Sequence, residues 1–186
     1  MSADPTPRQT FATELLLRAQ PVRALLLDVD GVLTPGDLLV GADGEQLKRF
    51  CTLDGHGLKL LESCGVTAVV LSGRDSPALR ARLAELGLLR HAVLGRSHKL
   101  PGAQAALEAL GLGWDEVAAI GDDWPDLPLL TRAQLAACPP GAHPEVLARV
   151  HVRTRAAAGA GAVRELCDLL LSAQGRYADL LSQAVA

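Results

Sequence analysis

Five acidic residues fall at two places where an apolar run of the sequence ends. Asp28 and Asp30 close the first run, and side chains two positions apart on a strand share one face. Asp122 and Asp123 close a later run, with Asp126 just beyond them. Mg²⁺ prefers carboxylate and carbonyl oxygens, and crowded acids repel one another unless a cation or protonation neutralises them. The pattern indicates a magnesium site beside a carboxylate that can attack phosphorus.

Two further apolar runs end in residues that suit phosphate. Ser72, Gly73 and Arg74 offer a hydroxyl, an unshielded backbone amide and a guanidinium, and Lys99 follows the next run. A carboxylate nucleophile forms an acyl phosphate, which splits a slow hydrolysis into two easier steps. A second acid must protonate the leaving alkoxide and then deprotonate water, while lysine and hydroxyl groups balance charge on the phosphoryl oxygens. Each feature also occurs in ordinary turns and surfaces, but their coincidence favours a phosphatase.

The elements that must position these residues alternate along the chain. Continuous apolar runs that are too short for most helices favour strands covered on both faces. Ser76 followed by Pro77 is typical of a helix start. The alternation predicts an α/β, Rossmann-like parallel sheet with helices on both faces, in which ligands bind at the carboxyl ends of the strands. We predict strands at 23–29, 66–71, 91–94 and 117–120, weaker strands at 135–138 and 150–153, and helices at 10–20, 76–87, 101–110 and 162–174. A further helix, which contains Lys59, is expected after Asp54-Gly55.

One segment interrupts the alternation directly after the first strand. Residues 38–50 read as two strands around an Asp43-Gly44 turn, which predicts a β-hairpin inserted at about 37–50. The sequence shows no linker or internal repeat. We therefore expect one domain over residues 1–186, without a large cap domain.

Composition excludes several classes of partner. The net charge of −3 over 186 residues gives no reason to expect nucleic acid or an anionic membrane, and no apolar run approaches the roughly 20 residues that span a bilayer. The first ten residues hold Asp4 and two prolines where a signal peptide needs an apolar stretch. Cys51, Cys64, Cys138 and Cys167 lie far apart and read as reduced thiols. We expect a cytoplasmic protein.

At the acidic and phosphate-binding residues, the sequence resembles the haloacid dehalogenase (HAD) superfamily of aspartyl-phosphate hydrolases. The resemblance implies Asp28 as nucleophile and metal ligand. It implies Asp30 as general acid and base, with a backbone carbonyl that also binds the metal. An acid at this second position favours phosphate over halide as the group attacked. Four motifs match in order over nearly the whole chain: Asp28-Val-Asp30-Gly-Val, Leu-Ser72-Gly-Arg, Lys99 and Gly-Asp122-Asp123.

The same resemblance assigns the remaining parts of the site. It implies Ser72 and Lys99 as phosphate ligands and Asp122 as a further ligand of Mg²⁺. Asp123 and Asp126 are expected to support the waters of the metal.

A narrower resemblance points to the small capless branch of this superfamily. It lies in Asp30-Gly-Val-Leu-Thr, in the hairpin with Lys48 and Phe50, and in Gly161-Ala-Val-Arg-Glu165. It implies a sugar-acid phosphate substrate, 3-deoxy-D-manno-octulosonate (KDO) 8-phosphate, with an N-acylneuraminate 9-phosphate as the alternative. It also implies a homotetramer in which the hairpins build a central barrel and the C-terminal segment of one subunit helps to close a neighbour's site.

The resemblance implies cationic substrate contacts from Arg74, Lys59 and Arg82. Backbone groups of a short segment would assist, together with Gly73 and Lys99. Leu53 stands where relatives often carry Arg, and Pro35 replaces a commonly acidic position, so we expect a less selective pocket. The C-terminal loop at 156–160 is also rich in alanine and has no basic residue. The assisting segment comprises Cys51, Thr52, Leu53, Asp54 and Gly55.

Two other classes of protein share parts of this pattern. A phospho-accepting receiver domain also combines acids, a Ser or Thr and a Lys on a parallel sheet, but it lacks an acid at the position of Asp30. A structural tetramer without catalysis would not need Asp28, Lys99 and Asp122 together. The sequence therefore favours the enzyme.

Overall fold

The protein is described by a computed structural model that covers residues 7–42 and 44–185. Its centre is a six-stranded sheet in which every neighbouring pair of strands is parallel. The strands are β1 (Ala24–Leu27), β2 (Leu39–Gly41), β3 (Gly44–Leu47), β4 (Thr67–Leu71), β5 (Ala92–Val93), β6 (Val117–Ile120), β7 (Leu135–Cys138) and β8 (Val152–Arg153). The order in the large sheet is β5-β4-β1-β6-β7-β8. This confirms the predicted α/β fold.

Eight α-helices surround the sheets in the described part of the chain. The predicted start of one of them is confirmed, since the Ser76 hydroxyl accepts a hydrogen bond from the backbone amide of Leu79. Another helix begins at Lys99, two residues before its predicted start. The helices are α1 (Thr13–Ala19), α2 (Thr52–Ser63), α3 (Pro77–Leu86), α4 (Lys99–Leu110), α5 (Leu127–Leu130), α6 (Pro144–Leu147), α7 (Ala162–Ala173) and α8 (Tyr177–Val185). Helices α5, α6 and α8 were not predicted.

Strand β1 lies between β4 and β6 and has a core on each side. Leu25 and Leu27 pack in one core with residues of α2, α3 and α7. Leu26 packs in the other core with residues of α4, α5 and α6. Full burial of a leucine side chain contributes about 1.5–3 kcal/mol. This covering of both faces explains why the strand is a continuous apolar run.

The register of the sheet brings three strand ends to one edge. Leu27 is paired with Val70 of β4 and with Ile120 of β6. The residues that follow these strands therefore emerge side by side. Asp28, Ser72 and the loop containing Asp122 thus come to the same edge of the sheet.

The predicted hairpin is formed by β2 and β3, which are antiparallel. Gly41 is paired with Gly44 across the turn, and the predicted turn residue Asp43 lies outside the described residues. The hairpin carries large apolar side chains on its surface, with Val40 67% and Leu47 64% exposed. Within the described ranges, no helix has the length and apolar character needed to cross a bilayer.

Candidate active site

Three carboxylates meet at the ends of β1 and β6. Asp28, Asp122 and Asp126 each place one carboxylate oxygen within 4.8 Å of the others. The turn after Asp28 permits this approach because Gly31 has a φ of +90°, and a Cβ there would lie 2.2 Å from Oδ2 of Asp122. The structure thus brings together two of the acids predicted as metal ligands and adds Asp126, which was predicted to support the metal's waters.

The electrostatics of this cluster favour a bound cation. Burial, together with the negative charge of Asp126, raises the pKa of Asp28 to about 6 against the opposing effect of Lys99. Burial and the charges of Asp28 and Asp126 raise the pKa of Asp122 to about 7. Burial is the larger cause of both shifts, and the repulsion between the acids adds to it. A set of closely spaced carboxylate oxygens is the donor set that Mg²⁺ takes, so the residues fit a hard divalent cation.

Lys99 lies in the first turn of α4 and contacts two of the three carboxylates. Its side chain is 5% exposed, and its Nζ lies 2.6 Å from Oδ1 of Asp28 and 2.7 Å from Oδ1 of Asp126. Burial acts to lower the pKa of Lys99, but the charges of Asp126 and Asp28 outweigh it and raise the pKa. The ammonium therefore stays charged beside the proposed nucleophile.

Asp126 also has a structural role that the sequence did not reveal. Its second oxygen, Oδ2, accepts hydrogen bonds from the backbone amides of Asp122 at 3.1 Å and Asp123 at 3.3 Å. One carboxylate thus shapes the loop that carries Asp122 and holds Lys99 at the same time. The sequence did contain one signal for this role, because two acids three positions apart, such as Asp123 and Asp126, are typical of a capped turn.

The predicted phosphate-binding residues follow β4. Gly73 and Arg74 line the cavity, whereas Ser72 is buried and does not line it. The Ser72 hydroxyl accepts a hydrogen bond from the backbone amide of Arg74 at 3.1 Å. Ser97 and Pro125 were not predicted as site residues. The cavity has a volume of about 360 Å³ and is lined by Asp28, Asp30, Gly73, Arg74, Ser97, Lys99, Asp122, Asp123, Pro125 and Asp126.

Comparison with known proteins identifies relatives that match nearly the whole chain. No family model matches the chain. The curated protein 3-deoxy-D-manno-octulosonate 8-phosphate phosphatase KdsC of Salmonella typhi is 37% identical over 174 residues, which cover 94% of this chain and 92% of the relative. The chain belongs to the KDO 8-phosphate phosphatase family. It is accordingly a phosphoric monoester hydrolase.

Solved structures agree with this family and its superfamily. A HAD superfamily (subfamily III A) hydrolase from Legionella pneumophila has a TM-score of 0.86 and 39% identity, over 92% of this chain and 94% of that one. The KDO 8-phosphate phosphatase of Moraxella catarrhalis was solved in complex with a magnesium ion, a phosphate ion and KDO. It has a TM-score of 0.89 and 30% identity, over 94% of this chain and 99% of that one. The resemblance to the HAD superfamily is confirmed.

Several predicted substrate contacts lie outside the acidic cavity of this KDO 8-phosphate phosphatase family member. Lys59 and Arg82 line a separate pocket of about 180 Å³, together with Thr52 and Gly55. The Arg82 guanidinium lies 5.9 Å from the centre of the Phe50 ring. The structure of one chain thus does not bring these residues to the phosphoryl site, and their contact with substrate stays a prediction.

Three further residues of the predicted contact segment have other surroundings. Leu53 is 55% exposed, and Cys51 precedes the first turn of α2. The Asp54 side chain is buried, and its carboxylate accepts hydrogen bonds from the backbone amides of Gly161 at 3.3 Å and Arg164 at 2.8 Å. The Asp54 carboxylate therefore caps α7 and joins it to α2, away from the cavity lining.

Lys48 is a residue near the site to which the sequence assigned no role. In the sequence, Lys48 was noted only as part of the hairpin motif. In the structure, its Nζ donates a hydrogen bond to Oδ1 of Asp30 and lies 3.2 Å from Oε1 of Glu45. The hairpin therefore contacts the proposed general acid and base within the same chain. Sequence periodicity gives no signal for a contact between a hairpin side chain and a loop 18 residues away.

Proposed function

We propose that the chain hydrolyses KDO 8-phosphate to KDO and phosphate, with Mg²⁺ as cofactor, in lipopolysaccharide biosynthesis. The observation that carries this proposal is the Lys99 ammonium, which lies 2.6 Å from Asp28 within the acidic cavity. Family membership supports the substrate, and the magnesium, phosphate and KDO in the Moraxella relative support the cofactor and product class. The four cysteines are free thiols in the structure, and a cytoplasmic location stays a prediction.

The proposed reaction begins with Asp28 as nucleophile. Its carboxylate oxygen forms a bond to phosphorus while the bond from phosphorus to the sugar oxygen breaks. Asp30 donates a proton to that leaving oxygen. The products of this first step are the free sugar acid and an aspartyl phosphate on Asp28.

The second step returns the enzyme to its starting state. Asp30, now deprotonated, takes a proton from a water that attacks the phosphorus, and the bond between phosphorus and Asp28 breaks. Lys99 and the groups around Ser72 balance charge on the phosphoryl oxygens in both steps. Mg²⁺, held by Asp28, Asp122 and the Asp30 carbonyl, would supply further positive charge at these oxygens.

A substrate panel tests the proposed function as a whole. Purified protein with Mg²⁺ should hydrolyse KDO 8-phosphate with a higher kcat/KM than any other sugar phosphate offered, N-acylneuraminate 9-phosphate included. Clear preference for another sugar-acid phosphate would overturn the substrate and leave the phosphatase chemistry in place. Absence of hydrolysis across the panel would overturn the proposal altogether.

Arg74 is the cavity-lining cation best placed to recognise the carboxylate of the substrate. Loss of a charge-assisted hydrogen bond costs about 1.5–3 kcal/mol. Arg74→Ala should therefore raise KM for KDO 8-phosphate by roughly 10- to 100-fold, and should change KM for p-nitrophenyl phosphate much less. Arg80→Ala is a matched control, because Arg80 is exposed and pairs with Asp75. Equal losses on both substrates would assign Arg74 to the phosphoryl group.

We also propose that the chain assembles as a homotetramer through its hairpin. The exposed apolar side chains of β2 and β3 form a surface that association would cover, and an unpaired strand edge is usually protected. Light scattering should give the mass of four chains. Val40→Asp should release smaller species, whereas Gln46→Asp should not, because Gln46 is a polar residue already at the surface. A native chain that stays monomeric at micromolar concentration would contradict the proposal.

A further inference from the structure

Lys48 reaches from the hairpin segment to Asp30 through a buried side chain. Its side chain is 1% exposed, although the strand that precedes it is at the surface. The ammonium donates a hydrogen bond to Oδ1 of Asp30, a residue that also lines the cavity. Lys48 is not one of the residues that line the cavity, so its ammonium acts there through Asp30.

The ammonium is itself held in position by a second acid. Oε1 of Glu45 lies 3.2 Å from the Lys48 Nζ. Burial acts to raise the pKa of Glu45, but the interactions with Ser76 and Lys48 outweigh it and lower the pKa. Ser76 caps α3, whose preceding turn carries Arg74. A chain of polar contacts thus connects the hairpin, the loop after β1 and the start of α3.

We propose that Lys48 is a positioning residue that holds the Asp30 carboxylate in the orientation needed to protonate the leaving oxygen, an inference that rests on the proposed function. A carboxylate turns about its side-chain bonds unless one of its oxygens is fixed. The bond from Lys48 fixes one oxygen of Asp30 and leaves the carboxylate directed at the cavity. Misplacement of a catalytic group by about 1 Å can cost about 100-fold in rate.

This role predicts a dependence on the leaving group. The alkoxide of a sugar phosphate is a poor leaving group that needs a proton from Asp30. The p-nitrophenolate ion is a good leaving group that departs with little help. Loss of Lys48 should therefore slow the first step for KDO 8-phosphate and spare it for p-nitrophenyl phosphate, whereas general damage to the fold would slow both.

Single-turnover kinetics of Lys48→Met with excess enzyme and saturating Mg²⁺ test the proposal. Release of KDO in the first turnover should slow by about tenfold or more, since general acid catalysis contributes about 10²- to 10⁴-fold. Release of p-nitrophenolate should change by less than about threefold, and KM for KDO 8-phosphate should stay close to the native value. Arg49→Met is the matched control, because it removes the same charge from the exposed neighbouring residue.

Each outcome decides the proposal. A folded Lys48→Met variant that slows both substrates equally, or neither, overturns it. If circular dichroism shows that Lys48→Met does not fold, Glu45→Gln takes its place. This variant should slow the release of KDO about threefold or more and leave the release of p-nitrophenolate close to native, and an equal effect on both substrates, or none, overturns the proposal. Failure of the proposed function is separate, because it shows in the native chain, which would then hydrolyse KDO 8-phosphate poorly or not at all.

Discussion

Asp28→Asn is expected to abolish phosphate release, with a loss of about 10⁴-fold or more in kcat, as is typical when a catalytic nucleophile is removed. The amide of asparagine is a poor nucleophile, so no acyl phosphate can form at this position. Folding should be unaffected. Burial raises the pKa of Asp28 because it penalises the charged carboxylate, and a neutral amide avoids that penalty. Phosphate release and thermal melting of the variant measure the two effects.

The control for this experiment is Asp75→Asn. Asp75 lies in the loop before α3 and pairs with Arg80 at the surface, so its neutralisation should leave turnover close to native. Acid quenching of the native enzyme during turnover, followed by mass spectrometry, should find phosphate on the peptide that contains Asp28. Near-native activity of Asp28→Asn would rule out this residue as the nucleophile.

The central strands could be predicted because burial on both faces leaves a simple pattern. The predicted bounds 117–120 and 135–138 are those of β6 and β7. The start of helix α2 was harder to predict. A helix was expected only after Gly55, because Gly55 and Gly57 disfavour helices, whereas α2 begins at Thr52. Packing accounts for the second glycine, since a Cβ on Gly57 would lie 2.9 Å from Cδ of Arg164 and 3.1 Å from Cβ of Cys167. Contact with α7 thus outweighs local propensity.

The candidate site was predictable to the extent that it follows from sheet topology. Asp28, Gly73 and Asp122 come together because parallel strands bring their carboxyl ends to one edge. The position of Lys48 depends instead on how the hairpin folds back over the loop after β1. The pocket that contains Arg82 likewise depends on the packing of α2 against α3. Such contacts between distant segments leave no periodic signal in the sequence.

Removal of divalent metal is expected to stop hydrolysis, and Mg²⁺ is expected to restore it. Asp28, Asp122 and Asp126 hold carboxylate oxygens within 4.8 Å of one another, and two of these acids have raised pKa values because of burial and mutual repulsion. Without a cation, Asp122 is partly protonated near pH 7 and Asp28 near pH 6, and the negative charges that remain repel an approaching phosphate. Ca²⁺ should inhibit, because it accepts more and longer oxygen contacts than Mg²⁺.

Thermal stability gives a second measure of the metal that does not depend on turnover. A ligand present at 100 times its Kd stabilises the folded state by about 2.7 kcal/mol, so Mg²⁺ should raise the Tm of the native chain after chelation. Asp122→Asn should lose this increase, while Asp115→Asn should keep it, because Asp115 lies at the opposite end of β6, in the turn before that strand. Native enzyme that keeps its rate after exhaustive chelation would show that these carboxylates serve another purpose. Loss of activity without a metal-dependent rise in Tm would instead place the required metal away from Asp122, since a cation bound between buried acids must stabilise the fold that holds them.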